Sequence, residues 1–143
     1  MIRNSRAFTL VEILIVVVIL GILAAIVVPQ FSNATSDAQK SAMEDQVAKI
    51  RRVLAVYYVR NGNVYPTITA GDGTWGELLT PGADYLRQAP ANLWVGGPNA
   101  KTIVLRTTPD TAYQTAYGWI FNPTTGDLWA GGFDEEDQPF PRP

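Results

Sequence analysis

The chain has 143 residues, of which 47% are hydrophobic, with 11 basic and 13 acidic side chains and a formal charge of −2. It has no cysteine and no histidine, and its four serines (Ser5, Ser32, Ser36, Ser41) all precede residue 42; this excludes disulfides, thiolate metal sites and any serine, histidine or cysteine nucleophile in the C-terminal two thirds. Lys49, Arg51, Arg52 and Arg60 form the only basic cluster and read as a solvated helix face, so the chain lacks the broad basic surface that nucleic-acid binding requires.

The first seven residues, MIRNSRA, are polar, carry Arg3 and Arg6 and contain no acid. Positive charge beside a hydrophobic segment keeps that end in the cytoplasm, so the chain beyond is expected to be translocated. Residues 8–28 follow, apolar throughout except for Thr9 and Glu12. At ~1.5 Å per residue, a helix of about 20 such residues crosses the ~30 Å hydrocarbon core. A carboxylate inside it costs roughly 2.5–3.5 kcal/mol at the bilayer centre and less towards the end, so Glu12 signals a partner. Gly21, Ala24 and Ala25 offer a small-residue face for helix packing in lipid. Pro29 removes an amide donor, and a kink or locally unwound segment is expected over residues 25–29.

The run R-A-F-T-L-V-E-I-L-I-V-V-V-I-L-G-I-L-A-A-I-V-V-P resembles the N-terminal signature of type IV pilins and of the pseudopilins of type II secretion. The resemblance implies cleavage by a prepilin peptidase between Ala7 and Phe8, methylation of the new amino terminus at Phe8, and an assembly role for Glu12 and Pro29. Ala7 stands where glycine is more usual in the family. Removal of Arg3 and Arg6 with the leader takes the 11 basic residues to 9 and the net charge from −2 to −4. A free ammonium at Phe8 would meet Glu12 of an axially staggered neighbour at similar membrane depth. Opposite charges ~4 Å apart attract by ~4 kcal/mol at an effective dielectric near 20, which offsets much of the burial cost and sets subunit register.

Beyond Gln30 the pattern becomes amphipathic, with Phe31, Ala34, Ala38, Ala42, Val47, Ile50, Leu54 and Tyr57 at helical steps and Asn61-Gly62-Asn63 as a stop. The apolar stripe requires the rest of the chain to fold onto the last turns. Tyr65-Pro66-Thr67, Tyr85-Leu86 and Pro90-Ala91-Asn92-Leu93-Trp94-Val95-Gly96-Gly97 resemble landmarks of the major pseudopilins, with Asn92 where aspartate is common and Leu93 where proline is. Residues 67–91 read as loop with one helical turn at 75–79. Residues 101–106, 116–121 and 127–130 read as three strands of a small antiparallel sheet, with Trp119 and Trp129 meeting across a hairpin. The fold class expected is α+β: a leader (1–7), a membrane and assembly half-helix (8–29), an amphipathic half-helix (30–62) and a loop-plus-sheet head (63–143), as in the pilin fold.

The tail is acidic. Asp127, Asp134 and Asp137 with loop carbonyls offer oxygen ligands for calcium, and the resemblance to major pseudopilins implies such a C-terminal loop site; a solvated terminus is the alternative. No other cofactor is expected. The function implied is a non-enzymatic subunit of a type II secretion pseudopilus, with partners in its own copies, minor pseudopilins, the prepilin peptidase and the inner-membrane assembly platform. The alternatives are a type IV pilus subunit and a single-pass anchored domain that binds carbohydrate or protein. An anchored glycosidase using two of Asp134, Glu135, Glu136 and Asp137 has no partners in sequence to separate its acid and base.

Overall fold

The computed structural model describes residues 8–82 and 84–143, with backbone alone for 28–33. Ala7 and the rest of the leader lie outside the described residues. Helix α1 spans Leu10–Arg60. Three strands follow, β1 (Ile103–Leu105), β2 (Trp119–Phe121) and β3 (Leu128–Ala130), with short 3₁₀ turns at Gly76–Leu79 and Pro98–Lys101. Contacts divide the chain into two compact units, Met1–Asp37 and Ala38–Pro143, so α1 contributes to both.

The backbone is helical through Pro29, without the local unwinding expected at 25–29. Proline removes one amide donor from the ladder, and the neighbouring helical bonds are sufficient to carry the backbone past it. The helix stops where the sequence places the stop: Gly62 takes φ 68°, and the Asn63 amide donates to the Tyr58 carbonyl at 2.9 Å, the bond that closes a Schellman cap.

The buried stripe of α1 in the second unit is Met43, Val47, Ile50, Leu54 and Tyr57, all 7% exposed or less. These alternate by four and three residues, the spacing that keeps one helix face against a single surface. Met43 takes the place expected for Ala42, which is exposed along with Ala34 and Ala38; the buried stripe of α1 begins at Met43. Packed on the stripe are Trp119, Phe121, Leu128, Ala130 and Phe133 from the sheet side, and Ile68, Trp75 and Leu78 from the loop.

All three strands form one sheet in the order β1-β2-β3, but β1 pairs with β2 in parallel, Ile103 opposite Trp119, and only β2 and β3 are antiparallel, Trp119 opposite Ala130. The expected all-antiparallel sheet is therefore corrected to a mixed one. A parallel pair needs a connection of about a dozen residues, and the segment between β1 and β2 is long enough to return to the starting edge. Trp119 and Trp129 do not meet. Trp129 sits opposite Ile120, and because side chains alternate along a strand it points to the other face of the sheet from Trp119. Trp119 instead packs edge-to-face on Trp75, with centroids 5.6 Å apart.

The landmark motifs prove to be packing devices. Tyr65 lies against Tyr58 (4.5 Å between centroids) and Phe121 (6.5 Å), and a Cβ at Gly126, where φ is 81°, would fall 2.0 Å from the Tyr65 ring. The β2–β3 turn thus passes so close to Tyr65 that only glycine fits there. Tyr85 stacks near Tyr57 (5.1 Å), and the Leu86 amide donates to the Leu78 carbonyl at 3.0 Å.

Candidate functional site

Leu10–Val27 is the one window among the described residues that is helical, long and apolar enough to cross a membrane. Its large apolar side chains are between 42% (Val27) and 88% (Leu10) exposed. At ~25 cal/mol per Å², so much apolar area facing water is strongly unfavourable, and the segment needs lipid or other helices around it.

Its N-terminus carries a capping box. Thr9 precedes the first helical residue, and its Oγ1 accepts from the Glu12 amide at 3.2 Å, while Glu12 Oε2 accepts from the Thr9 amide at 2.8 Å and from the Thr9 hydroxyl at 2.9 Å. Thr-x-x-Glu before an apolar run is the sequence signal of that arrangement. Glu12 is thus the reciprocal partner of the N-cap Thr9 at the start of its own helix in the single chain, a role the reading from sequence did not assign. Phe8 is 80% exposed beside it. For Pro29 only the backbone is described, and Ala7 is outside the described residues.

Asp127, Asp134 and Asp137 are each committed elsewhere. Asp137 holds Arg51 through both oxygens, Oδ2 to Nη1 at 2.5 Å and Oδ1 to Nη2 at 2.9 Å. Asp134 Oδ1 accepts from the amides of Glu136 (3.1 Å) and Gln138 (2.7 Å), closing the turn of a hairpin whose ends pair Phe133 with Pro139. Asp127 Oδ2 accepts from the Thr125 hydroxyl at 2.5 Å. Among the described residues no three acids converge on a point where a metal would sit. The carboxylates proposed as calcium ligands, Asp127, Asp134 and Asp137, therefore do not fit a common ion as they stand.

Two further hubs lay hidden in the sequence. Asn92, wholly buried, donates from Nδ2 to the carbonyls of Gly118 (2.8 Å) and Gly131 (2.9 Å), and its Oδ1 accepts from the amides of Trp94 (2.8 Å) and Val95 (3.1 Å). An ionised aspartate cannot make the first two bonds. Asp110, 6% exposed, accepts from Arg106 (3.0 Å), Gln114 (3.0 Å), the Tyr117 hydroxyl (2.5 Å) and the Gly132 amide (2.8 Å). It ties the β1–β2 connection to the end of β3. Burial, with the hydrogen bond to Asp110 behind it, pushes the Tyr117 hydroxyl up to about 12. Of the basic cluster, Lys49 pairs with Asp45 at 3.0 Å, and Arg52 and Arg60 line a groove of about 330 Å³ with Val53, Val56 and Tyr85; Arg51, its side chain 40% exposed, turns to the C-terminal loop.

A long α-helix carrying an exposed apolar half with a carboxylate near its start, and a small sheet packed on its other half, define the class: a pilin-like protein. Residues 2–28 match the family described as the prokaryotic N-terminal methylation motif. The chain is similar to proteins named type II secretion system core protein G: 33% identical over 100 residues to that of Dickeya chrysanthemi (64% of this chain, 65% of the relative), 30% over 105 residues to that of Klebsiella michiganensis (66% and 71%), and 33% over 99 residues to that of Escherichia coli K12 (64% and 68%). The chain belongs to the type II secretion system core protein G family. In the Dickeya alignment it spans just under two thirds of the relative's length. No solved structure matches the chain.

Proposed function

We propose that this chain is the structural subunit of a type II secretion pseudopilus. The observation that carries the reading is the coincidence of the methylation motif at residues 2–28 with an apolar helix, Leu10–Val27, that is left wholly unburied. Such a helix is stored in the inner membrane, N-terminus cytoplasmic because of Arg3 and Arg6, and is then buried against copies of itself. The peptidase cuts between Ala7 and Phe8, and the new Phe8 ammonium pairs with Glu12 of the neighbouring subunit. Minor pseudopilins and the assembly platform are the further partners, and the function is mechanical rather than enzymatic.

Glu12 exchanges one partner for another in this scheme. In the single chain its carboxylate caps the Thr9 amide; in the filament it meets a cation. Glutamine keeps the capping geometry and loses the charge. A Glu12→Gln chain is therefore expected to insert, to be cleaved and to stay helical, yet to form no filaments. Normal filaments from that chain would remove the charge-register role. Mass spectrometry of the membrane-extracted protein tests the class itself: the expected mature chain begins with N-methyl-Phe8, and an uncut chain, or one cut beyond the apolar segment, overturns the reading.

A further inference from the structure

Arg51 is bound like an ion. Its Nε and Nη2 donate to the Leu128 carbonyl at 3.0 and 2.8 Å, and its Nη1 and Nη2 donate to the two oxygens of Asp137 at 2.5 and 2.9 Å. One main-chain carbonyl from the first residue of β3 and one bidentate carboxylate from the C-terminal loop are the kind of oxygen donors that calcium takes. Here a guanidinium fixed to α1 takes them. The planar fork matches the carboxylate in a way that a point charge would not.

The loop is shaped to deliver that carboxylate. Asp137 adopts φ 58°, a left-handed conformation that is strained for a residue other than glycine. The turn is closed by the Asp134 carboxylate on the Gln138 amide and by the Phe140 amide on the Gly132 carbonyl at 2.9 Å. Further contacts hold the tail on the same helix and on Trp94: Lys40 donates to Gln138 at 2.6 Å, Arg142 donates to Gln39 at 2.6 Å, and the Arg142 guanidinium lies 4.0 Å from the centre of the Trp94 ring. The Trp94 indole donates to the Phe140 carbonyl at 3.1 Å. Glycine at 137 would relieve the backbone but leave Arg51 without its counter-ion.

We propose that Arg51 is the resident cation of the C-terminal loop: it clasps residues 128–137 to α1 in place of a metal, and the head folds and holds its tail independently of calcium. The inference concerns the head alone and stands or falls separately from filament assembly.

The test uses the full-length chain in detergent micelles, with unfolding followed by tryptophan fluorescence in excess calcium chloride and in EDTA. The two midpoints of the wild-type chain are expected to coincide. Arg51→Met is expected to lower the midpoint by about 5 °C in both media and to speed Glu-C cleavage at Glu135 and Glu136 about tenfold, because the loop opens more often. Asp137→Asn, a change in an exposed turn that tolerates the left-handed backbone, is expected to act in the same direction and carries the test should Arg51→Met fail to fold. A wild-type midpoint that rises with calcium overturns the proposal, as does wild-type melting and cleavage in both variants.

Discussion

Asn92 shows how one side chain's donor inventory decides what a position tolerates. Its amide both gives and receives, donating to two carbonyls and accepting from two amides in a fully buried pocket. In Asn92→Asp at neutral pH, two carbonyls would face a carboxylate with no proton between them. We expect a loss of about 2–4 kcal/mol, read as a drop in the denaturation midpoint. Protonation restores one donor, so the deficit should shrink as the pH falls. Tyr57 and Glu77 make a second residue-scale case. The hydroxyl donates to Glu77 Oε2 at 2.6 Å, and the Thr67 amide donates to the same oxygen at 2.8 Å. The Tyr57 bond, then the Thr67 amide, lower the Glu77 carboxyl from its ordinary value, and the same bond, then burial, raises Tyr57 to about 12. A lowered carboxyl contributes stability that is complete above the ordinary value of about 4.3 and disappears as pH falls through the lowered one. A raised phenol contributes stability that is complete below about 10 and is lost as pH climbs through about 12. Glu77→Gln, which keeps both acceptor contacts, should therefore flatten the acid limb of a stability-versus-pH curve. An unchanged limb would place the sensitivity in other carboxylates.

At the scale of elements, α1 has two kinds of surface. Leu54, 2% exposed, lies on the stripe under the sheet, whereas Val59, 74% exposed, faces outward a little over one turn later. Leu54→Ala should cost about 3 kcal/mol through lost burial and the cavity left behind, and Val59→Ala no more than about 0.5 kcal/mol. Chemical denaturation of the two variants separates them, and similar costs would mean that the stripe is misassigned. The helix, its apolar first half and its stop at Gly62 were legible because they depend on neighbours along the chain: hydropathy, period and a local cap. The capping box was legible too, in Thr9 and Glu12, but the unusual carboxylate in an apolar run drew attention to the filament instead. The direction in which β1 meets β2 was not legible. Strand propensity is the same in either direction, and the choice rests on the long β1–β2 connection that Asp110 anchors to Gly132.

At the scale of the molecule, the division at Asp37 and Ala38 implies that the second unit holds its own core. A chain beginning at Ala38 should be soluble without detergent and unfold cooperatively, with the tryptophan signature of the full protein; a molten, aggregating product would show that the N-terminal half of α1 is needed for folding. The apolar helical segment was legible in the sequence alone, because length, apolarity and flanking charge are one-dimensional properties that survive in any tertiary context. The same holds for the amphipathic helix and for the existence of three short strands. Only the tertiary structure decided the mixed sheet, the opposite faces taken by Trp119 and Trp129, and the partner of Arg51, which lies 77 residues from the carbonyl and 86 from the carboxylate it binds. Pairings across such distances are set by how the sheet seats on the helix, and no local pattern of residues encodes them.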